Sequence, residues 1–168
     1  MNRKIILLAV IFALMVVLGY NLFRFLTEDP RKTLVVSEAT VRVYFDPQGR
    51  GLPLNTYLDP YKGRTPDPEK HRIVEYWIES ITNTGSRKKN FVIVEAVIDS
   101  FRDYVINGTY LTGPSILGPG GFQRAGILFL TEGDPEMIKK LVSQSYIMIT
   151  WEERGKKWVR IVPVKLIE

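Results

Sequence analysis

Residues Ile5 to Phe23 form nineteen consecutive positions without a charged side chain, and thirteen of them are Leu, Ile, Val or Phe. As an α-helix such a run rises about 28 Å, close to the roughly 30 Å hydrocarbon core of a bilayer. Its thirteen most apolar side chains contribute on the order of −4 to −8 kcal/mol to insertion. Tyr20 and Asn21 fall near the outer end, where a polar or aromatic side chain is tolerated at headgroup level, and Arg24 ends the run. A cleaved signal peptide would use the same residues: Arg3 and Lys4 as its charged region, Ile5 to Val16 as its apolar region, and Val17-Leu18-Gly19 as a poor cleavage site. The protein would then be secreted. Because the apolar character continues through Leu22, Phe23, Phe25 and Leu26, the expectation is an uncleaved single-pass anchor over residues 1–26, crossing the cell membrane through residues 5–23. Arg3 and Lys4 face Arg24, Arg31 and Lys32 across the span, so positive charge does not decide its orientation. The short N-terminal tail is taken to remain inside.

A connector over 27–35 and one extracytoplasmic domain over 36–168 follow, the latter large enough to bury its own core. The chain carries 23 Lys and Arg against 18 Asp and Glu, but Arg3, Lys4 and Arg24 belong to the membrane argument, leaving 20 against 18. No basic run interleaved with aromatics marks a nucleic-acid surface, so no nucleic-acid partner is expected. The absence of cysteine excludes disulfides, a thiolate nucleophile and thiolate metal sites.

Val41, Val43 and Phe45 alternate with Arg42 and Tyr44 in the period-two pattern of a half-buried strand. From Asp46 to Arg72 the prolines and glycines exclude regular structure and imply a long loop, a length usually associated with function or disorder. Ile73 to Thr82 reads as a strand with Val74, Tyr76 and Ile78 on one face and Glu75, Trp77 and Glu79 on the other. Phe91 to Ile98 reads as another, apolar on both faces. Asn107-Gly108 between short apolar stretches predicts a two-residue hairpin, which also accounts for the glycosylation-like Asn107-Gly108-Thr109. Phe122 to Leu130 is a further strand, and Asp134-Pro135-Glu136 opens a helix to about Ser143 with Met137, Ile138, Leu141 and Val142 on its apolar face. Tyr146 to Glu152 and Lys157 to Leu166 form a hairpin around Arg154-Gly155, with Ile147, Ile149 and Trp151 directed into the core. Pro163 marks an edge, or the point where the last strand leaves its sheet.

Seven or so short strands and one helix in a connection predict an all-β, two-sheet sandwich. Ile81-Thr82-Asn83-Thr84-Gly85-Ser86 before Phe91 to Asp99, and Leu117-Gly118-Pro119-Gly120-Gly121 before Phe122 to Leu130, give a pattern over about 73–164 that resembles bacterial extracytoplasmic immunoglobulin-like modules of the CARDB type. The resemblance implies an immunoglobulin-like sandwich serving as a spacer, adhesive unit or partner-binding unit; the 46–72 loop and the helix depart from its simple pattern.

Little else points to chemistry. His71, the only histidine, lies between Lys70 and Arg72 and reads as a solvated loop residue, which leaves neither a Ser-His-Asp set nor a multi-histidine zinc site. Glu75 and Glu79 would stand about 13 Å apart along a strand, beyond the roughly 5–9.5 Å of glycosidase carboxyl pairs. Asp46, Asp59, Asp67 and Glu69 lack the spacing of a calcium loop, and Gly118-Pro119-Gly120-Gly121 lacks the Lys-Ser/Thr and helix of a phosphate loop. No catalytic residue, cofactor or metal is assigned. The expected function is a noncatalytic, membrane-anchored interaction or structural module of a bacterial cell envelope, with another envelope protein as partner; the alternative is a carbohydrate-binding domain or enzyme using Trp77, Tyr57 and Tyr61. The predicted partner surface is Arg50, Tyr57, Tyr61, Lys62, Arg64 and Lys70, on a 46–72 segment expected to lie over Phe91, Ile93, Val97 and Trp77 as a lid.

Overall fold

The computed structural model describes residues 3–47, 63–110 and 112–167. Helix α1 (Arg3–Thr27) is continuous through Gly19, and its mean hydropathy reaches 2.7 over the most apolar eighteen residues. None of its residues is buried against the rest of the chain, so its apolar surface is not part of the domain core. The polar groups within it bond back to the helix: Asn21 donates to the Val17 carbonyl at 2.9 Å and Thr27 to the Phe23 carbonyl at 2.8 Å.

The strands are β1 (Leu34–Val36), β2 (Ala39–Tyr44), β3 (His71–Asn83), β4 (Lys89–Val97), β5 (Val105–Tyr110), β6 (Ser115–Leu117), β7 (Phe122–Glu132), β8 (Tyr146–Glu153) and β9 (Lys156–Ile167). They pair in the order β5-β7-β3-β2-β9-β8-β4-β6, with β1 added beside β3, as one curled path. The seam is the parallel pair of β2 and β9, Ala39 opposite Val164 through Arg42 opposite Ile167; the other pairs are antiparallel. Pro163 stands where β9 changes partner, from Tyr146 of β8 to the end of β2, so its missing N–H coincides with the change of ladder. Both halves of the path contribute to one core: Val41, Val74, Tyr76, Ile78, Ile127 and Phe129 from one, Val92, Val94, Ile147, Ile149 and Trp151 from the other. The inward face expected for β8 is the one observed.

β3 and β4 are consecutive but do not pair; the Asn83 to Ser86 turn carries the chain from one half to the other. Trp77 therefore does not share a face with Phe91, Ile93 and Val97, contrary to the sequence reading. The Asn107-Gly108 hairpin is also corrected: both residues lie within β5, beside a register shift against β7. Gly108 is opposite Phe129, whose ring would lie 2.7 Å from an added Cβ, so close packing rather than a turn explains this glycine. The β8–β9 turn is as expected, with Arg154 at φ 57° and Gly155 at φ 67°, the pair of positive values of a type I′ hairpin. Helix α2 (Pro135–Val142) begins at Asp134, which accepts the Met137 N–H at 2.8 Å, and it buries Ile138 and Val142 while Met137 stays exposed.

The two glycine turns of the sequence pattern meet. Buried Asn83 donates its side-chain amide to the Leu117 and Gly118 carbonyls, both at 3.0 Å, and its backbone exchanges bonds with Gly120 and Gly121. This places the β3–β4 turn, the β6–β7 turn and the β8–β9 turn at the end of the domain next to α1. Thirteen-residue β3 then runs roughly 40 Å to the far end.

Candidate functional site

Along β4, β8 and β9 the residues that point away from the core are largely apolar. Ile93, Val97, Tyr146, Met148 and Thr150 are half-buried, while Val159 is 52% and Ile161 62% exposed. Cross-strand pairing puts Ile93 opposite Thr150, Thr150 opposite Val159, and Met148 opposite Ile161, so the patch spans three strands around one exposed acid, Glu95, opposite Met148. Phe91 extends it and is 59% exposed. Its φ of 49° is left-handed, uncommon for a bulky side chain, and falls where the register of β4 shifts against β8 between Asn90 and Ile93. A bulge of this kind re-aims a side chain, and such strain costs of order 1–3 kcal/mol unless the surroundings impose it. Between Phe91 and Val159 lies a cleft of about 390 Å³ whose polar side chains are Thr150, Glu152 and Lys157, with Trp151 and Trp158 also on its wall. A second, shallower cleft of about 640 Å³ adjoins it through Val159 and carries Asp29, Arg31, Lys32 and Arg160.

The patch is held at a defined place relative to α1. Arg154 donates to the carbonyls of Phe25 and Leu26, each at 3.1 Å, and Arg24 donates to the Thr84 carbonyl at 3.1 Å. The Arg154 guanidinium meets the negative end of the helix dipole and its unbonded carbonyls, while Arg24, itself in the last turn of α1, reaches across to the β3–β4 turn. Glu28 pairs with Arg24 at 2.7 Å and accepts both the backbone N–H and the hydroxyl of Ser86, at 2.8 and 2.9 Å. Desolvation pushes the Glu28 carboxyl upward, but the Ser86 bonds and Arg24 outweigh it and hold the group below the usual carboxylate range. Gly85 is needed in this turn: an added Cβ would lie 2.8 Å from the Thr33 side chain. Arg87 stacks on the Phe25 ring at 3.8 Å. Just inside, fully buried Lys89 pairs with Glu153 at 2.6 Å and donates to Thr33 at 2.9 Å, an ion pair that its place in the lysine-rich Arg87-Lys88-Lys89 run does not disclose.

The residues expected to form a partner surface are not gathered on this face. Arg64 and Lys70 are exposed near the start of β3, at the far end of the domain, with Lys70 3.9 Å from Asp67. Arg50, Tyr57, Tyr61 and Lys62 lie outside the described residues, as does most of the expected lid. Phe91, Val159 and Ile161 are exposed with respect to the described residues. Burial on the outer side of the other half is different: Ile73, Leu128 and Leu130 form a second small cluster with Tyr44 and Ile106.

His71 is a correction, since it is buried as the first residue of β3, with Nδ1 accepting the Asp67 N–H at 3.0 Å. Glu75 is buried rather than partly solvated; burial raises its carboxyl above the usual range, and Arg42 at 3.6 Å only partly opposes this. Glu79 is exposed and accepts the Trp77 indole N–H at 3.0 Å, so that indole donor is already engaged. Among the described residues no three His, Asp or Glu side chains are placed to hold a metal ion.

No family model matches the chain, and no curated protein matches it. Two solved structures are similar over 78% of the chain at 13% identity and a TM-score of 0.28. They are the GH20 exo-β-N-acetylglucosaminidase of Vibrio harveyi with N-acetylglucosamine and an inactive variant of the same enzyme. The chain spans 18% of the length of each.

Proposed function

We propose that the chain is a noncatalytic interaction module of a bacterial cell envelope, retained by α1 as a single-pass anchor, with its β domain outside the cytoplasm. The observation that carries this reading is the apolar face of β4, β8 and β9, exposed among the described residues and held beside a membrane-length helix by Arg24, Glu28 and Arg154. An immunoglobulin-like sandwich of the CARDB type is the architecture that goes with it. Its support is the strand order, in which β1, β3, β7 and β5 correspond to the A, B, E and D strands of such a fold and β4, β8 and β9 to C, F and G.

The occupant we assign to the face is another envelope protein with apolar contact residues and an acidic rim. Charge complementarity supports this choice: Lys157 offsets Glu152 in the apolar cleft, and in its neighbour Arg31, Lys32 and Arg160 outnumber Asp29. A carbohydrate is the competing occupant, favoured by the aromatic rings of Phe91 and Trp158. A photocrosslinking residue at Ile161 of the full chain in native membranes should give one discrete protein adduct, lost with Val159→Asp, whereas the same probe at Arg64 should not. A glycan array that binds the solubilised chain, with no adduct from Ile161, would replace the protein partner by a sugar.

A further inference from the structure

We infer that the end of the domain next to α1 is a binding surface for anionic lipid headgroups, an inference that rests on α1 being a retained membrane span. Three segments remote in sequence bring exposed cations to this end: Arg31 and Lys32 from the connector, Lys88 from the β3–β4 turn, and Arg154, Lys156 and Lys157 from the β8–β9 turn. Of these, Arg31 is paired, with Asp29 at 3.4 Å. Lys32, Lys88, Arg154, Lys156 and Lys157 have no carboxylate of the described residues within 4 Å. The nearby acids are already engaged: Glu28 with Arg24, Asp29 with Arg31, and Glu153 with buried Lys89. Only half-buried Glu152 stands apart, inside the cleft. The surplus of positive charge is therefore exposed and available.

Its depth is fixed by the helix. The uncharged run ends at Phe23, and Arg154 donates to the carbonyls of Phe25, Leu26 and Glu28. Those carbonyls lie two to five residues beyond the run, or about 3–8 Å along the axis. The headgroup layer on each side of the hydrocarbon is itself roughly 5–8 Å deep. Arg87, stacked on Phe25, belongs to the same level. The β8–β9 and β3–β4 turns therefore stand in the layer that contains lipid phosphates. Guanidinium and ammonium groups there meet phosphate with charge-assisted hydrogen bonds, and an anionic membrane adds a long-range attraction that a zwitterionic one lacks. Neutral lipid offers the phosphate but not the net charge, so the surface distinguishes the two.

The test uses the full chain in nanodiscs of phosphatidylcholine alone or of an equimolar mixture with phosphatidylglycerol, read by hydrogen exchange at residues 84–88 and 154–157. Exchange in those turns should be roughly tenfold slower in the anionic discs. The difference should vanish in half-molar salt and in the variant K88E/K156E/K157E, and inorganic phosphate added to the neutral discs should not reproduce it. Equal exchange in the two lipids, or a charge-reversed variant protected like the native chain, would overturn the inference. If thermal melting shows the reversed variant unfolded, Lys→Gln at the same three positions replaces it with the same two outcomes. A chain washed out of the discs at alkaline pH would instead overturn the retained anchor, a failure distinct from that of a retained but lipid-insensitive one.

Discussion

The two ends of the β domain are closed by different kinds of contact. At the far end, Ile138 and Val142 of α2 are buried, Phe101 meets Phe129 edge-on at 6.2 Å, and the Tyr76 hydroxyl bonds Ser145 at 2.6 Å within an apolar setting. At the end next to α1, the closing contacts are ionic or use backbone carbonyls: Lys89 with Glu153, Glu28 with Ser86, Arg154 with the last turn of α1, and Asn83 with the β6–β7 turn. Apolar burial stabilises without prescribing direction, whereas charge-assisted hydrogen bonds are satisfied only over a narrow range of angles. The far end supplies cohesion, and the near end sets how the domain stands on its helix.

That contrast can be broken experimentally. The largest effect is expected from Lys89→Ala, which leaves the buried Glu153 carboxylate without its cation and should lower stability by about 3–5 kcal/mol. The double variant K89M/E153L, which removes both charges, should recover most of this loss in a denaturation titration. If it is as unstable as the single variant, the ion pair is a source of stability in its own right and the contrast fails. At the other end Ile138→Ala should lose roughly 2–5 kcal/mol, while hydrogen exchange in the 84–88 turn stays unchanged once the global effect is subtracted. Asp134→Ala removes the cap of α2 and should lower stability by about 1 kcal/mol.

Phe91→Gly sharpens the comparison from the apolar face. The glycine adopts the positive φ freely and little burial is lost, so stability should be unchanged or raised by up to about 1 kcal/mol while the crosslink at Ile161 weakens. The smallest effect is one of pH. The folded-state carboxyl of Glu28 titrates below its unfolded value, so its contribution is whole at neutral pH and is lost as pH falls through the acidic range towards the lowered value. Glu75 has the opposite sign: its raised carboxyl makes the ionised form unfavourable in the fold, and acidification relieves that penalty. Glu28→Gln should therefore flatten the acid limb for protection of the 84–88 turn, and Glu75→Gln should not.

Local signals in the sequence located most elements. Period-two patterning identified the core faces of β3 and β8, the Asp-Pro-Glu start located α2, and Arg154-Gly155 located its hairpin because a type I′ turn selects such residues locally. Failures came where the deciding partner is distant. Asn107-Gly108 has the composition of a turn, but its glycine accommodates the Phe129 ring. His71 has charged neighbours in sequence, and Lys89 stands in a basic run, yet pairing across the sheet buries both. The apolar face was partly legible, since β4 reads as apolar on both sides. Its true extent was not, because β8 and β9 rather than β3 lie beside it. The bulge that turns Phe91 outward leaves no mark in composition.

The partner change at Pro163 has a consequence for the order of folding during synthesis. β9 is the last of the described strands in chain order, and its residues 164–167 form the parallel ladder with β2, the second. Until those residues emerge, the seam between the halves is an exposed strand edge on β2, a template for pairing with another chain. Closure also joins positions almost as far apart in sequence as the domain allows, a kind of contact that forms slowly. The nascent chain thus carries its open edge from the emergence of β2 until residue 164 appears. Mispairing between copies is most favoured in that interval, and a chaperone that covers β2 before residue 164 appears would act at the point of greatest exposure.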